Sequence, residues 1–348
     1  MAKHPSMADV ARAAGVSKNT VSLALRHDPQ IPERTRVRVQ EAARQLGYRY
    51  DPISAELMAR MRRRSTGRQA SLALVHAHPD PHAWKDHPTI PTYIEGCRRR
   101  AAERGYGLDL FWLHDAAVRG PTLQRIIESR GLRGVLVVGM MKTNRLPEHF
   151  APLVKAFPCV VTGVRTHQPA LSFACVDHYD LALRAFRRAV DLGYRRPALV
   201  IDETIDMLVD RRFSAGFIVG QQTLPRQRQL PPFYDVESAR ADLSIFAQWL
   251  DHHRPDMIFT LYHEVRGWLE ELGRRVPEEI GLAQLERRPK HPDWAGMEQH
   301  NDLSGEAAVD MLIGMILRGE SGPPLYPRAS LMESRWVDGE TLPARPSA

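Results

Sequence analysis

From Ser71 onward the chain repeats one rhythm, and that rhythm constrains the fold more than any other feature. Short apolar runs alternate with segments of helical periodicity. The runs are LALVHA (72–77), LDLFWL (108–113), GVLVVGM (134–140), CVVTGV (159–164), PALVI (197–201), DMIFTL (256–261) and IGLAQL (280–285). Helical stretches lie between them, as at 92–104, 179–192 and 304–318, with Gly105, Gly193 and Gly319 placed to stop them. A strand that is apolar without alternation is buried on both faces, which predicts parallel sheets flanked by helices, an α/β fold. Two architectures satisfy this pattern: paired doubly wound domains, or an eight-stranded α/β barrel. Periodicity alone does not separate them. LPRQRQLPP (224–232) reads as a surface connection.

The 348 residues leave room for roughly two domains. No apolar run approaches the ~20 residues of a membrane span, and the N-terminus MAKHPSMADV lacks the apolar core of a signal peptide, so a cytoplasmic protein is expected. Cys97, Cys159 and Cys175 form no CxxC pair and read as reduced, buried thiols. The net charge of +7 is unevenly placed. Residues 1–68 hold 14 Lys and Arg against six Asp and Glu, whereas the remainder holds 34 against 35. A basic N-terminal module that meets a polyanion, ahead of a near-neutral body, accounts for this asymmetry.

Three short helices fit residues 6–47. Ser6 and Asp9 make a variant capping box for the first, whose Met7, Val10, Ala11 and Ala14 recur with helical spacing. Gly15 permits a tight turn, and Ser17 caps a second helix. A third runs from about Pro32 to Leu46 and ends at Gly47; its Val39, Ala43 and Leu46 share a face that closes a small core. Two helices joined this way form a helix-turn-helix. The second helix would turn Val21, Ala24 and Leu25 inward and Lys18, Asn19, Ser22 and Leu23 outward. In a DNA major groove, Lys18 can donate to guanine and Asn19 can bond adenine bidentately. Ser17, Thr20 and Ser22 are further candidate DNA contacts, and Leu23 can pack on a thymine methyl. A helical hairpin with a solvated polar face is the plain alternative.

MADVARAAGVSKNTVSLAL, followed by TRVRVQEAARQLGY, closely resembles the headpiece of the lactose-repressor (LacI/GalR) family of bacterial transcription regulators. The likeness runs over about fifty residues without a gap. It implies that Lys18, Asn19 and Leu23 are the variable base-reading positions. Leu23 stands where the lactose repressor has arginine, so a different operator is expected.

DPISAELMARMRRRSTGRQ (51–69) has an apolar stripe, Ile53, Leu57 and Met61, followed by Arg62, Arg63, Arg64 and Arg68. It reads either as an amphipathic linker packed on the body or as a hinge helix that orders on DNA. In the second case its apolar residues wedge into the minor groove and Arg62, Arg63 and Arg64 neutralise phosphates. The family resemblance favours the hinge and implies that Leu57 is the residue that inserts at the operator centre.

In the body, GYRRPALVI, SAGF, RVPEEIGL and SLMESRWVDGET are similar to landmarks of the family's two-lobed, periplasmic-binding-protein-like (type I) effector domain. The resemblance implies a ligand between the lobes, and a homodimer that reads a pseudo-palindromic operator. The tail LPARPSA carries no heptad repeat. The family's usual polar ligands are largely replaced, by Tyr262 and His263 after one strand, Glu286 after the next, and Phe213 where an arginine is usual. Arg212, Tyr262, His263 and Glu286 are candidate effector contacts for an acidic or aromatic ligand, or surface residues of a site that no longer binds one. The loop HAHPDPHAWKDHP (76–88) adds His76 and His78 as candidates, because the family places it at the cleft. His76, His78, His82, His87 and Asp80 also resemble a set of metal ligands, and the His76-x-His78 pair at a strand end resembles the first ligands of barrel-fold, metal-dependent amidohydrolases.

The expected organisation is a headpiece over 1–49, a hinge and basic linker over 50–68, and an effector-binding and dimerisation domain over 69–341. The expected function is a homodimeric repressor of a catabolic operon, controlled by a small-molecule effector, with no catalysis, metal or cofactor. The alternatives are a metal-dependent hydrolase with an accessory DNA-binding module, and a constitutive DNA-binding regulator with a vestigial cleft.

Overall fold

The computed structural model describes residues 5–25, 30–48, 70–118 and 120–346. The linker expectations, including Leu57 and Arg62, Arg63 and Arg64, lie outside the described residues.

The headpiece consists of α1 (Met7–Ala14), α2 (Lys18–Leu25) and α3 (Glu33–Gln45). The Asp9 carboxylate accepts from the Ser6 N–H at 2.9 Å and from its hydroxyl at 2.6 Å. Gly15 ends α1 in the left-handed conformation at φ 62°. Val10, Ala11, Ala14, Val21, Ala24, Val39, Ala42 and Ala43 form the buried core, with Met7, Leu25 and Tyr48 packed on it. Leu46 is not part of that core. It is 40% exposed, and Ala42, one turn earlier on α3, fills the place expected for it.

The body contains two open sheets, which excludes the barrel. The first has the order β10-β5-β4-β3-β1-β2 and is wholly parallel. Its strands are β1 (Ala70–His76), β2 (Tyr106–Trp112), β3 (Val135–Val138), β4 (Cys159–Thr162), β5 (Ser172–Val176) and β10 (Ala329–Met332). The second has the order β11-β9-β8-β7-β6. It comprises β6 (Pro197–Val200), β7 (Met257–Thr260), β8 (Gly281–Gln284), β9 (Ala295–Glu298) and β11 (Arg335–Val337), with only β11 antiparallel.

Both faces of each sheet are covered, as the apolar runs require. In β1, Leu72 and Leu74 enter one buried cluster while Ala73 and Val75 enter another. In β6, Ala198 and Val200 face one cluster and Leu199 the opposite one. Short helices α4 (Ala83–Asp86), α6 (Pro121–Ser129) and α7 (Ala151–Ala156) complete the first lobe with α5 (Ile90–Glu103). The second lobe takes α8 (His178–Asp191), α9 (Glu203–Leu208), α10 (Arg212–Gln221), α11 (Val236–Ala241), α12 (Ser244–His253) and α13 (Glu264–Glu271). The chain crosses between lobes three times. It leaves β5 for α8, returns from β9 into α14 (Asn301–Arg318), which packs on α5 and the first sheet, and crosses again from β10 to β11. Gly105, Gly193 and Gly319 follow α5, α8 and α14 with φ of 78°, 92° and 69°. Cys97, Cys159 and Cys175 are free and buried.

Candidate functional site

Two places concentrate chemistry: the outer face of α2 and the space between the lobes. At the first, the Ser17 hydroxyl accepts from the Thr20 N–H at 3.1 Å and lies 2.9 Å from the Thr20 hydroxyl. Ser17 therefore caps α2, as its position implies. Val21 and Ala24 are buried beneath the helix, whereas Ser17, Lys18 and Asn19 are exposed. Ser22 and Leu23 are half-buried at the flank of this face.

The second place is a cavity of ≈ 390 Å³ at the carboxyl ends of the strands, where ligands of open α/β sheets bind. The first lobe lines it with Thr89, Tyr93, Met140, Met141, Gly163 and Val164, among others. Gly163, at φ 98°, follows β4; a Cβ there would lie 3.3 Å from the Tyr93 ring. The second lobe lines it with Phe213, Tyr262, His263, Glu286 and Arg288, among others.

Glu286 ties the cavity together. Its carboxylate accepts from the Thr89 hydroxyl of the opposite lobe at 3.1 Å, from Asn301 Nδ2 at 2.9 Å and from Arg288 Nη2 at 3.3 Å. Burial raises its pKa above the usual carboxylate value, against the opposing pull of Arg288, Thr89 and Asn301. A second cross-lobe contact joins His167 Nε2 to the Asp210 carboxylate at 2.7 Å. Asp210 and Arg211 both lie in the left-handed region, at φ 56° and 55°. Buried Asp206 braces that turn by accepting from the Ser214 N–H at 3.2 Å. The turn delivers Phe213 to the cavity wall and directs Arg212 away from it, into an ion pair with Asp177.

Three imidazoles border the cavity, and burial keeps all three neutral near pH 7. His87 is lowered to about 4 by burial, and then by His78 and Arg288. Its Nδ1 accepts from the backbone N–H of Thr89 at 3.1 Å and Ile90 at 3.3 Å. His178 is lowered to about 3 by burial, and then by the Arg212 charge; its ring meets Phe213 edge-on at 4.7 Å. His263 is lowered to about 4 by burial, and then by His291 and Arg288. Its ring lies 3.8 Å from that of His291 and meets Trp294 edge-on at 5.0 Å. His178 Nδ1, His263 Nε2 and Thr162 Oγ1 are buried without a hydrogen-bond partner.

Residues 6–51 match the family model "Bacterial regulatory proteins, lacI family". The chain is 25% identical over 334 residues to the HTH-type transcriptional regulator PtxS of Pseudomonas putida, covering 91% of each chain. It is 21% identical over 355 residues to the HTH-type transcriptional regulator CelR of Thermobifida fusca, covering 93% of this chain and 95% of that one. Residues 6–51 thus form a lacI-type DNA-binding segment, and the chain as a whole is similar to HTH-type transcriptional regulators. Solved structures of similar fold include a CelR–cellobiose complex, with TM-score 0.60 and 19% identity over 97% of this chain and 99% of that one. Another is the lac repressor dimer bound to operator and the anti-inducer ONPF, with TM-score 0.59 and 17% identity over 98% and 100%.

The sequence-predicted effector residues fall into three groups. Tyr262, His263 and Glu286 share the between-lobe cavity. Arg212 lines an adjoining cavity of ≈ 260 Å³, because its guanidinium is drawn to Asp177. His76 and His78 do not line either one. His76 is buried at the end of β1 with its ring stacked on Trp112, and His78 Nδ1 accepts from the Asp80 N–H at 3.0 Å. The His-rich loop reaches the cavity instead through His87. His178 was absent from the sequence-based candidates; its position directly after a strand end, in CVDH (175–178), is the signal that marks it. Among the described residues, no three of His, Cys, Asp and Glu converge as metal ligands. No described helix is long and apolar enough to cross a membrane.

Proposed function

We propose that this regulator acts as a homodimeric repressor that reads a pseudo-palindromic operator and is released or recruited by a small molecule bound between its lobes. The observation that carries the reading is the pairing, in one chain, of an exposed Lys18–Asn19 helix face with a cavity walled by both lobes. Lys18, Asn19 and Leu23 would read bases, while Ser17, Thr20 and Ser22 would contact phosphate or base edges. Leu57 with Arg62, Arg63 and Arg64 would form the hinge contacts. Tyr262, His263 and Glu286 would contact the effector, and Thr89 would report its presence through Glu286. Coupling follows if the ligand binds one lobe arrangement better than the other, because equal binding to both shifts nothing. The fold and the relatives support a regulatory role without catalysis.

In-vitro selection of bound DNA with the full-length protein, followed by footprinting, tests this reading. Recovery of a two-fold symmetric site whose half-sites lie one helical turn or a multiple apart is expected. A selected pool without symmetry, or one no better bound than random DNA, would overturn it.

A further inference from the structure

We propose that the between-lobe cavity takes an uncharged, mainly apolar ring compound with one or two hydroxyl or carbonyl groups, rather than a sugar or an anion. The inference rests on reading this cavity as the effector site. It begins with Phe213. This side chain is 2% exposed and stands on the wall, while its charged neighbour Arg212 is held by Asp177 outside the cavity. The apolar wall continues through Met140, Val164, Leu208 and Val209, all of them buried. Aromatic surfaces meet a ligand from two sides: Phe213 on His178, and His263 braced by His291 and Trp294.

The formal charges at this wall cancel locally. Arg288 is bonded to Glu286, and Glu264 pairs with Arg240 at 2.7 Å. The three bordering imidazoles are neutral because they are buried. An entering carboxylate or phosphate would lose its hydration without gaining an uncommitted cation. A sugar would bring about five hydroxyl groups, each costly to bury unpaired. The unpartnered buried atoms of the wall residues are fewer: Thr162 Oγ1, His178 Nδ1, His263 Nε2 and Arg288 Nε. They suit one or two polar groups on a flat ring.

The test is calorimetric titration of the full-length protein with three probes: 2-naphthol, 2-naphthoate and methyl β-glucopyranoside. One molecule of 2-naphthol per chain is expected, bound at least tenfold more tightly than either other probe. Ile205→Trp fills the cavity from a half-exposed wall position and should weaken 2-naphthol at least tenfold. Phe213→Arg, if folded by circular dichroism, should turn the preference toward 2-naphthoate. Equal or tighter binding of the glucoside or the naphthoate would overturn the proposal. So would no 2-naphthol binding up to its solubility limit, or binding untouched in a folded Ile205→Trp protein. A parallel gel-shift with the selected DNA separates the two readings. If 2-naphthol binds, is lost in Ile205→Trp, and leaves DNA affinity unchanged, the control reading fails and the ligand class stands. If the naphthoate or glucoside binds better and alters DNA affinity, the ligand class fails and the control reading stands.

Discussion

Leu23 lies at the flank of α2 and is half-buried rather than fully outward. A leucine there reads no donor or acceptor, but it can pack on a thymine methyl. Leu23→Arg is therefore expected to move the preferred base toward guanine at one position per half-site, by about 1–3 kcal/mol. Selections with both proteins that return the same operator would show that Leu23 reads nothing. His178 yields a second prediction. Its pKa is about 3 in the folded protein, against an ordinary 6.5, chiefly through burial. Between those values the unfolded chain binds a proton that the folded chain does not. Its contribution to stability is thus complete above about pH 6.5 and falls by about 1.4 kcal/mol per pH unit as the solution is acidified. His178→Leu should remove that slope, so its Tm relative to the parent should rise between about pH 7.5 and pH 5. A constant Tm difference across that range would contradict the buried neutral state. The positions of Tyr262, His263 and Glu286 at the cavity were legible through the family resemblance, which places ligand contacts just after strand ends. His76 was misleading for the same reason: its side chain turns into the packing against Trp112.

At the scale of elements, two glycines set the distance between α5 and α14. A Cβ on Gly96 would lie 1.9 Å from the Asp302 carbonyl oxygen, and one on Gly305 would lie 2.3 Å from the Tyr93 carbonyl oxygen. The backbones touch, so a methyl group must push one helix off the other. Around this seam Arg99 pairs with Asp302 at 2.7 Å and Arg104 with Asp310 at 2.9 Å. Gly96→Ala and Gly305→Ala are each expected to destabilise by about 1–3 kcal/mol or more, as overpacking does. Gly267 is the internal control. It lies on the exposed side of α13, and a methyl group added there would meet nothing within 4 Å, so Gly267→Ala should stabilise by up to about 1 kcal/mol. Thermal melts of the three variants check the order. The long helices were legible because their periodicity extends over 14 or more residues and ends at glycine. Strands β9 (AGME) and β11 (RWV) were not, because neither carries a run of branched apolar residues, and β10 is an edge strand of alternating exposure without an apolar run. Such strands are defined by their partners rather than by their own composition.

At the scale of the whole molecule, the alternation of strands and helices was readable but the division into two sheets was not. A barrel and a pair of open sheets share the same local pattern. They differ in the three crossings between lobes, which join residues far apart in sequence. What the sequence does carry globally is charge. The excess of +8 lies in residues 1–68, and the body is close to neutral. Affinity for DNA should then come from the N-terminal fifth of the chain. Each phosphate neutralised there contributes about 0.9 to the slope of log K against log salt concentration. Arg62, Arg63 and Arg64 follow Leu57 in the linker, where the family resemblance places a DNA-ordered hinge. Replacing all three with alanine should lower the slope by up to about 2.7 while leaving the selected half-site sequence unchanged. Leu57→Ala should do the reverse: keep the slope, weaken specific binding and reduce the bend measured by circular-permutation gel shift. The two variants therefore separate phosphate neutralisation from minor-groove insertion. If the triple variant keeps the parent slope, the arginines are solvated and the linker is not a phosphate clamp; if Leu57→Ala keeps the parent bend and affinity, the leucine packs on protein rather than between base pairs.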